Sequence, residues 1–173
     1  DRYAVAVKNI HDDKILYSRE GLGLDAREND KFIFTLNRSR KRDRQRRLLM
    51  MRLEAAMPNG RLLTMTDDVT VEHVLPKGGS AWWNERFPDP PMRVERANLI
   101  GNLVLITYEQ NKAADNKPYA RKRSVYFDTP NVPIYAVTKD IASIEEWTLN
   151  AIEDRHERLV RILCEDWGLV RGD

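Results

Sequence analysis

His73 closes the stretch Val69-Thr70-Val71-Glu72-His73-Val74-Leu75-Pro76, which Lys77 and the pair Gly78-Gly79 terminate. A β-branched run of this kind reads as a strand, and its end beside proline and glycine is where a side chain can emerge into a cleft. An imidazole there is neutral near pH 7 and can accept a proton from water. The ordinary occupant of such a position is nonetheless a hydrogen-bonded structural histidine. A second group follows: Gly101-Asn102-Leu103-Val104-Leu105-Ile106, then Asn111, Lys112, Asp115, Asn116 and Lys122. Carboxylate and amide oxygens suit a hard divalent ion. Asp115 lies four residues after Asn111, on the same helical face if that segment is continuous. Neighbouring strand residues point to opposite faces, so Glu72 and His73 address one ion only if the strand is irregular; otherwise Glu72 sits behind the ligands. Taken singly, Asn111 and Asn116 read as turn or cap residues. His11, before Asp12-Asp13, and His156, among Asp154, Arg155, Glu157 and Arg158, read as surface residues.

The elements that must position these groups follow from the same patterns. The run from Val69 and the run from Leu99 to Thr107 are expected to pair as a hairpin. The connection between them, with Trp82, Trp83, Pro88, Pro90 and Pro91, is too long for a turn and reads as a functional or self-packed loop. Tyr108 to Asp115 reads as a short helix and Lys117 to Phe127 as another, with Asn116 placed to cap it and Pro118 in its first turn. Ser143 and Glu146 have capping-box spacing ahead of Ile144, Trp147, Ala151, Leu159, Leu163 and Trp167, a helical stripe closed by Gly168. Cys164 and the tryptophans of that stripe read as core. Upstream, Arg38 to Arg47 carries seven cations and one acid. Asn37 or Ser39 could cap a helix running from there to about Met57. Arg40, Lys41, Arg44 and Arg47 are candidates for contact with DNA phosphates, against the plainer reading of a solvated helix start.

Length and composition bound what these elements can be. A chain of 173 residues and 20.2 kDa, 42% hydrophobic and 32% charged, can bury one core and is neither disordered nor fibrous. No apolar run approaches the roughly 18 residues a membrane span needs, and no signal peptide opens the chain, so no membrane partner and a cytoplasmic location are expected. One cysteine and three histidines cannot build an ordinary zinc site, so any metal is held mostly by oxygen. The net charge of +2 hides a gradient: 14 Lys and Arg against 9 Asp and Glu in residues 1–60, but 5 against 9 in residues 129–173. That split points to a polyanion on one side. Gly21-Leu22-Gly23 lacks the remainder of a phosphate-cradling motif, so nucleotide hydrolysis is not expected of this chain. It opens without methionine and is expected to be part of a longer protein.

Glu72-His73-Val74-Leu75-Pro76, Gly101-Asn102-Leu103, Asn111, Asn116-Lys117-Pro118-Tyr119 and Lys122, in this order and spacing, resemble the HNH nuclease domain at the C-terminus of GmrSD-type, modification-dependent restriction enzymes. The resemblance runs from about Arg46 to Trp167. It implies an α+β fold in which a ββα-metal (HNH, or His-Me finger) core is embedded in a mostly helical domain. A basic helical segment would span residues 1–66, the nuclease core 67–128 and a C-terminal packing helix 129–173. By the same resemblance His73 is the general base, Glu72 the acidic residue beside it, Asn102 the loop brace and Asn111 a metal ligand. Lys122 would lie near the scissile phosphate, and Asn116 either there or at a helix cap. The acidic ligand is Glu72 or Asp115, the ion a single Mg²⁺ or Mn²⁺, and Lys112 joins the phosphate contacts. Two departures stand out: Lys77 replaces a frequent glutamine, and Asn111 stands where many such domains have histidine. The implied activity is metal-dependent cutting or nicking of double-stranded DNA, in the prokaryotic cytoplasm, by the effector of a phage-defence or modification-dependent restriction protein with an upstream sensor or NTPase domain. The competing readings are an inactive DNA-binding module and a docking module of the same fold.

Overall fold

The computed structural model describes residues 26–37, 43–64 and 67–169. Arg40, Lys41, His11 and the Asn37–Ser39 capping position lie wholly or in part outside what is described. The element order is α1 (Ala26–Asn37), α2 (Asp43–Ala56), β1 (Thr70–His73), α3 (Ala81–Arg86), α4 (Pro90–Ala97), a 3₁₀ turn (Ile100–Asn102), β2 (Leu103–Ile106), α5 (Tyr108–Ala114), α6 (Tyr119–Phe127), α7 (Ala136–Lys139) and α8 (Leu149–Asp166). Among the described residues the fold is therefore α+β, with eight α-helices and one two-stranded sheet. None of these helices is long and apolar enough to cross a membrane.

β1 and β2 pair antiparallel, with Thr70 opposite Ile106, Val71 opposite Leu105, Glu72 opposite Val104 and His73 opposite Leu103. Directly opposed residues share a face. Val104 and Ile106 enter a cluster with Leu75, Trp83, Tyr126 and Trp147. Leu103 and Leu105 enter another with Met50, Leu53, Val137 and Leu159. β2 is thus buried on both faces, which is why Leu103 to Ile106 shows no polar alternation. The same pleat turns Glu72 towards the first cluster and His73 towards the second.

The long connection is self-packed. Asp89 caps α4 by accepting from the Met92 amide at 3.2 Å. Trp83 is fully buried, and its indole donates to the Lys117 carbonyl at 3.0 Å. The start of α6 differs from the sequence expectation: it begins at Tyr119 behind Pro118, and exposed Asn116 caps nothing.

α8 also starts later than the Ser143–Glu146 spacing suggests. Thr148 is the cap, accepting from the Ala151 amide at 3.1 Å. The reason is tertiary: Trp147 donates through Nε1 to Asn102 Oδ1 at 2.9 Å, which pins the chain just ahead of the helix. His156, expected at the surface, is buried where α8 lies across the 3₁₀ turn. A β-carbon on Gly101 would come 2.6 Å from His156 N and 2.7 Å from His156 Cβ. Arg155 clamps the same crossing, donating to the carbonyls of Gly101 (2.6 Å) and Leu103 (2.8 Å) and pairing with Asp140 at 2.8 Å. Gly101→Ala should therefore cost about 1–3 kcal/mol through overpacking against helix backbone, read as a lower urea midpoint. An unchanged midpoint would mean that α8 does not rest on this turn.

Candidate functional site

The end of β1 and the start of α2 form a cleft of about 390 Å³ lined by Asp43, Arg44, Arg46, Arg47, Val69, Thr70, Val71 and His73. His73 is part-buried, and its Nε2 is shut off from solvent without a hydrogen-bond partner in the protein. Burial, with Lys77, Arg46 and Lys122 nearby, lowers the imidazole pKa to about 3, so the ring is neutral at pH 7. The unfolded chain titrates near 6.5 and binds the proton more readily, so stability falls as pH drops from about 6.5 towards 3. Between pH 7.5 and pH 5 the wild type should lose on the order of 1–2 kcal/mol more than His73→Gln. Equal losses in urea titrations of the two proteins would place the ring in water.

Arg46 is the cleft's buried cation. Its side chain is 8% exposed; it pairs with Asp43, which is 94% exposed, and donates to Asn98 Oδ1 at 3.1 Å. Arg47 reaches the Asp67 carbonyl at 3.1 Å, and Arg44 is exposed. The sequence-expected contacts Arg44 and Arg47 therefore stand beside His73. Arg46 and Asp43 had not been singled out, although Arg46, Met50 and Leu53 follow one another at helical core spacing, a signal that could have found the arginine.

On the opposite face of β1, Glu72 is buried against α6. Lys122 Nζ donates to its Oε1 at 2.5 Å and to the His73 carbonyl at 2.8 Å, and Tyr126 donates to the same Oε1 at 3.1 Å. Burial pushes the Glu72 carboxyl up and the Lys122 ammonium down, and each charge holds the other against that trend. These contacts bear on two expectations. Lys122, 1% exposed, has no open side from which a phosphate could approach. Glu72 is engaged by two donors, Lys122 and Tyr126, on the face away from the His73 ring, the second of the two placements the sequence allowed.

Asn102 is fully buried and braces the turn. Its Oδ1 accepts from the Leu75 amide at 2.7 Å and from Trp147, while its Nδ2 donates to the Leu75 and Ala97 carbonyls, both at 2.9 Å. Asn111, on α5, is tied to β1: Nδ2 donates to Thr70 Oγ1 at 3.1 Å and the Val71 carbonyl at 3.4 Å. α5 itself is set by a capping box between Thr107 and Gln110. Asp115 ends α5 at φ 40°, and it, Lys112 and Asn116 are all exposed. Among the described residues no hydrogen bond or ion pair joins His73 to Asn111, Asp115 or Asn116.

This donor set does not make a ready ion cage. The described residues hold no group of three His, Cys, Asp or Glu side chains placed for a metal. The carboxylates nearest the two faces, Glu72 and Asp43, are already paired. On the α5 side, no hydrogen-bond donor among the described residues reaches the Asn111 amide oxygen or the exposed Asp115 carboxylate, and both lie within the expected ligand set. Mg²⁺ commonly binds through one or two protein oxygens and completes its shell with substrate phosphate and water, and only in that mode do these residues suit it.

No curated protein and no solved structure matches the chain. Residues 25–162 match the family described as GmrSD restriction endonucleases, C-terminal domain. The match reaches back through α1 and includes both strands, the braced turn and most of α8. The chain therefore belongs to the C-terminal domain family of the GmrSD restriction endonucleases.

Proposed function

We propose that this chain is the DNA-cutting domain of a restriction endonuclease, a phosphodiester hydrolase of the HNH, ββα-metal type that nicks double-stranded DNA. One observation carries the reading: a neutral imidazole lining a cleft with three arginines. The arginines attract and orient the backbone phosphate without reading bases. The neutral His73 imidazole takes the proton of the attacking water. Asn102 holds Leu75, two residues beyond, so that the ring keeps its direction, and the Glu72–Lys122 pair fixes the His73 carbonyl from behind. The antiparallel strands followed directly by α5 support the ββα assignment. Mg²⁺ or Mn²⁺, bound together with the phosphate, would supply charge neutralisation for the developing oxyanion; the Asn111 amide oxygen and Asp115 are the protein donors open to it. One such site per chain cuts one strand per visit. Family membership supports an upstream sensor or NTPase domain and a role against phage or foreign DNA in the prokaryotic cytoplasm.

The test is supercoiled plasmid with Mg²⁺ or Mn²⁺, with and without chelator. The wild-type chain should relax it, and His73→Ala should cut about 10²–10⁴ times more slowly at unchanged circular dichroism. Plasmid left intact by the wild type, or cut equally by His73→Ala, would overturn the proposal. A second reading, a DNA-binding domain without cleavage, is favoured by the engagement of Glu72 and Asp43, which leaves no unpaired carboxylate bonded to the His73 ring among the described residues. Salt-sensitive DNA retention indifferent to chelator and to His73→Ala would select it.

A further inference from the structure

Arg46 is paired in an unequal way. Its guanidinium is buried beside a partner-free histidine nitrogen, in a cleft that also carries Arg44 and Arg47, yet among the described residues the carboxylate on it is that of Asp43, which is almost wholly in water. Asn98 holds the other arm of the fork at 3.1 Å and so keeps the guanidinium aimed whether or not Asp43 stays. An exposed carboxylate one helical turn away can rotate off at little cost, since such pairs contribute about 0.2–1 kcal/mol. A guanidinium fork matches phosphate oxygens as well as it matches a carboxylate.

We propose that Asp43 is a built-in stand-in for the DNA phosphate. In the free protein its carboxylate occupies one arm of the Arg46 guanidinium, and on binding a backbone phosphate displaces it from that arm and is held by Arg46 next to His73. Asp43 thus sets how strongly the cleft competes for DNA, and Arg46 is the cation that receives the phosphate. The inference rests on the nuclease reading for the identity of the anion, while its test needs no cleavage.

The experiment is fluorescence anisotropy of a labelled DNA duplex with the full chain in chelator, over a series of KCl concentrations. Asp43→Asn should tighten binding about two- to fivefold, the factor that corresponds to the strength of an exposed ion pair. The gain should persist in an Arg44→Gln background and vanish in an Arg46→Gln background. Arg46→Gln alone should weaken binding and reduce the salt slope by about one. Thermal melts check that Arg46→Gln folds; if it does not, comparison with Asp67→Asn, another exposed carboxylate at the cleft's edge, carries the test, since a like-charge effect gives it the same gain as Asp43→Asn and the proposal gives it none. A simple like-charge effect would instead give the same gain in every background, and that result overturns the proposal. So does Asp43→Asn that binds no tighter, or a wild type that does not bind the duplex. Plasmid cleavage without the Arg46-dependent gain sinks this inference alone; the gain without cleavage leaves it standing and sinks the catalytic reading.

Discussion

Lys122→Met should destabilise the protein by about 3–5 kcal/mol, enough to unfold a large fraction of it under conditions where the wild type is native. The ammonium is 1% exposed, and removing it leaves the Glu72 carboxylate, itself buried, without its balancing charge and with neutral donors such as the Tyr126 hydroxyl. The carboxyl would respond by taking up a proton, since desolvation already raises its pKa and Lys122 is the charge that opposes it. The loss should therefore shrink as pH falls towards 5. Replacing both partners, Glu72→Met with Lys122→Met, should recover most of it, because a buried pair is worth little against well-packed apolar side chains. Urea unfolding of the four proteins of the cycle measures both effects. A single-variant cost below about 1 kcal/mol would mean that water reaches the pair.

Asn102→Ala should cost about as much, on the order of 4 kcal/mol, by another route. Four buried groups lose their partner at once: the amide and carbonyl of Leu75, the carbonyl of Ala97 and the indole of Trp147. Each unsatisfied buried group costs about 1–3 kcal/mol, and partial relaxation keeps the sum below the simple total. Asn102→Asp should fare no better, since it sets a carboxylate against two carbonyl oxygens that need a donor. Trp147 fluorescence should change in both variants, because the ring loses its tether. A protein that keeps its unfolding midpoint with the tether lost would show that Asn102 is no brace.

These two sites differ in how far the linear sequence revealed them. The strand pair, α5 and the end of α2 were legible because β-branched runs and Pro-Gly punctuation are local signals, while the bracing asparagine came only from the family resemblance. The direction of Glu72 was legible in part: period two excludes Glu72 and His73 from one face, and the regular strand resolves the alternative in favour of Glu72 lying behind. What was illegible depends on contacts between distant stretches. Ser143 and Glu146 satisfy a capping rule, but Trp147 is anchored to a residue 45 positions earlier, and the anchor moves the helix start to Thr148. His156 is flanked by charges, yet Gly101 offers it a surface without a side chain. Within Arg38 to Arg47, composition alone does not say which cation is buried.

The crossing of α8 over Gly101 has a consequence for the order in which the site can exist. Every candidate group of the cleft and of the strand pair, Asp43 to Lys122, has been synthesised before Leu149 is added. The surface that seats the glycine turn, the Arg155 clamp and the indole that reaches Asn102 all come later. A nascent chain halted before Trp147 would hold all of the chemistry and none of the floor beneath it. The braced turn, the strand pair and the cleft beside them thus gain their supporting helix last.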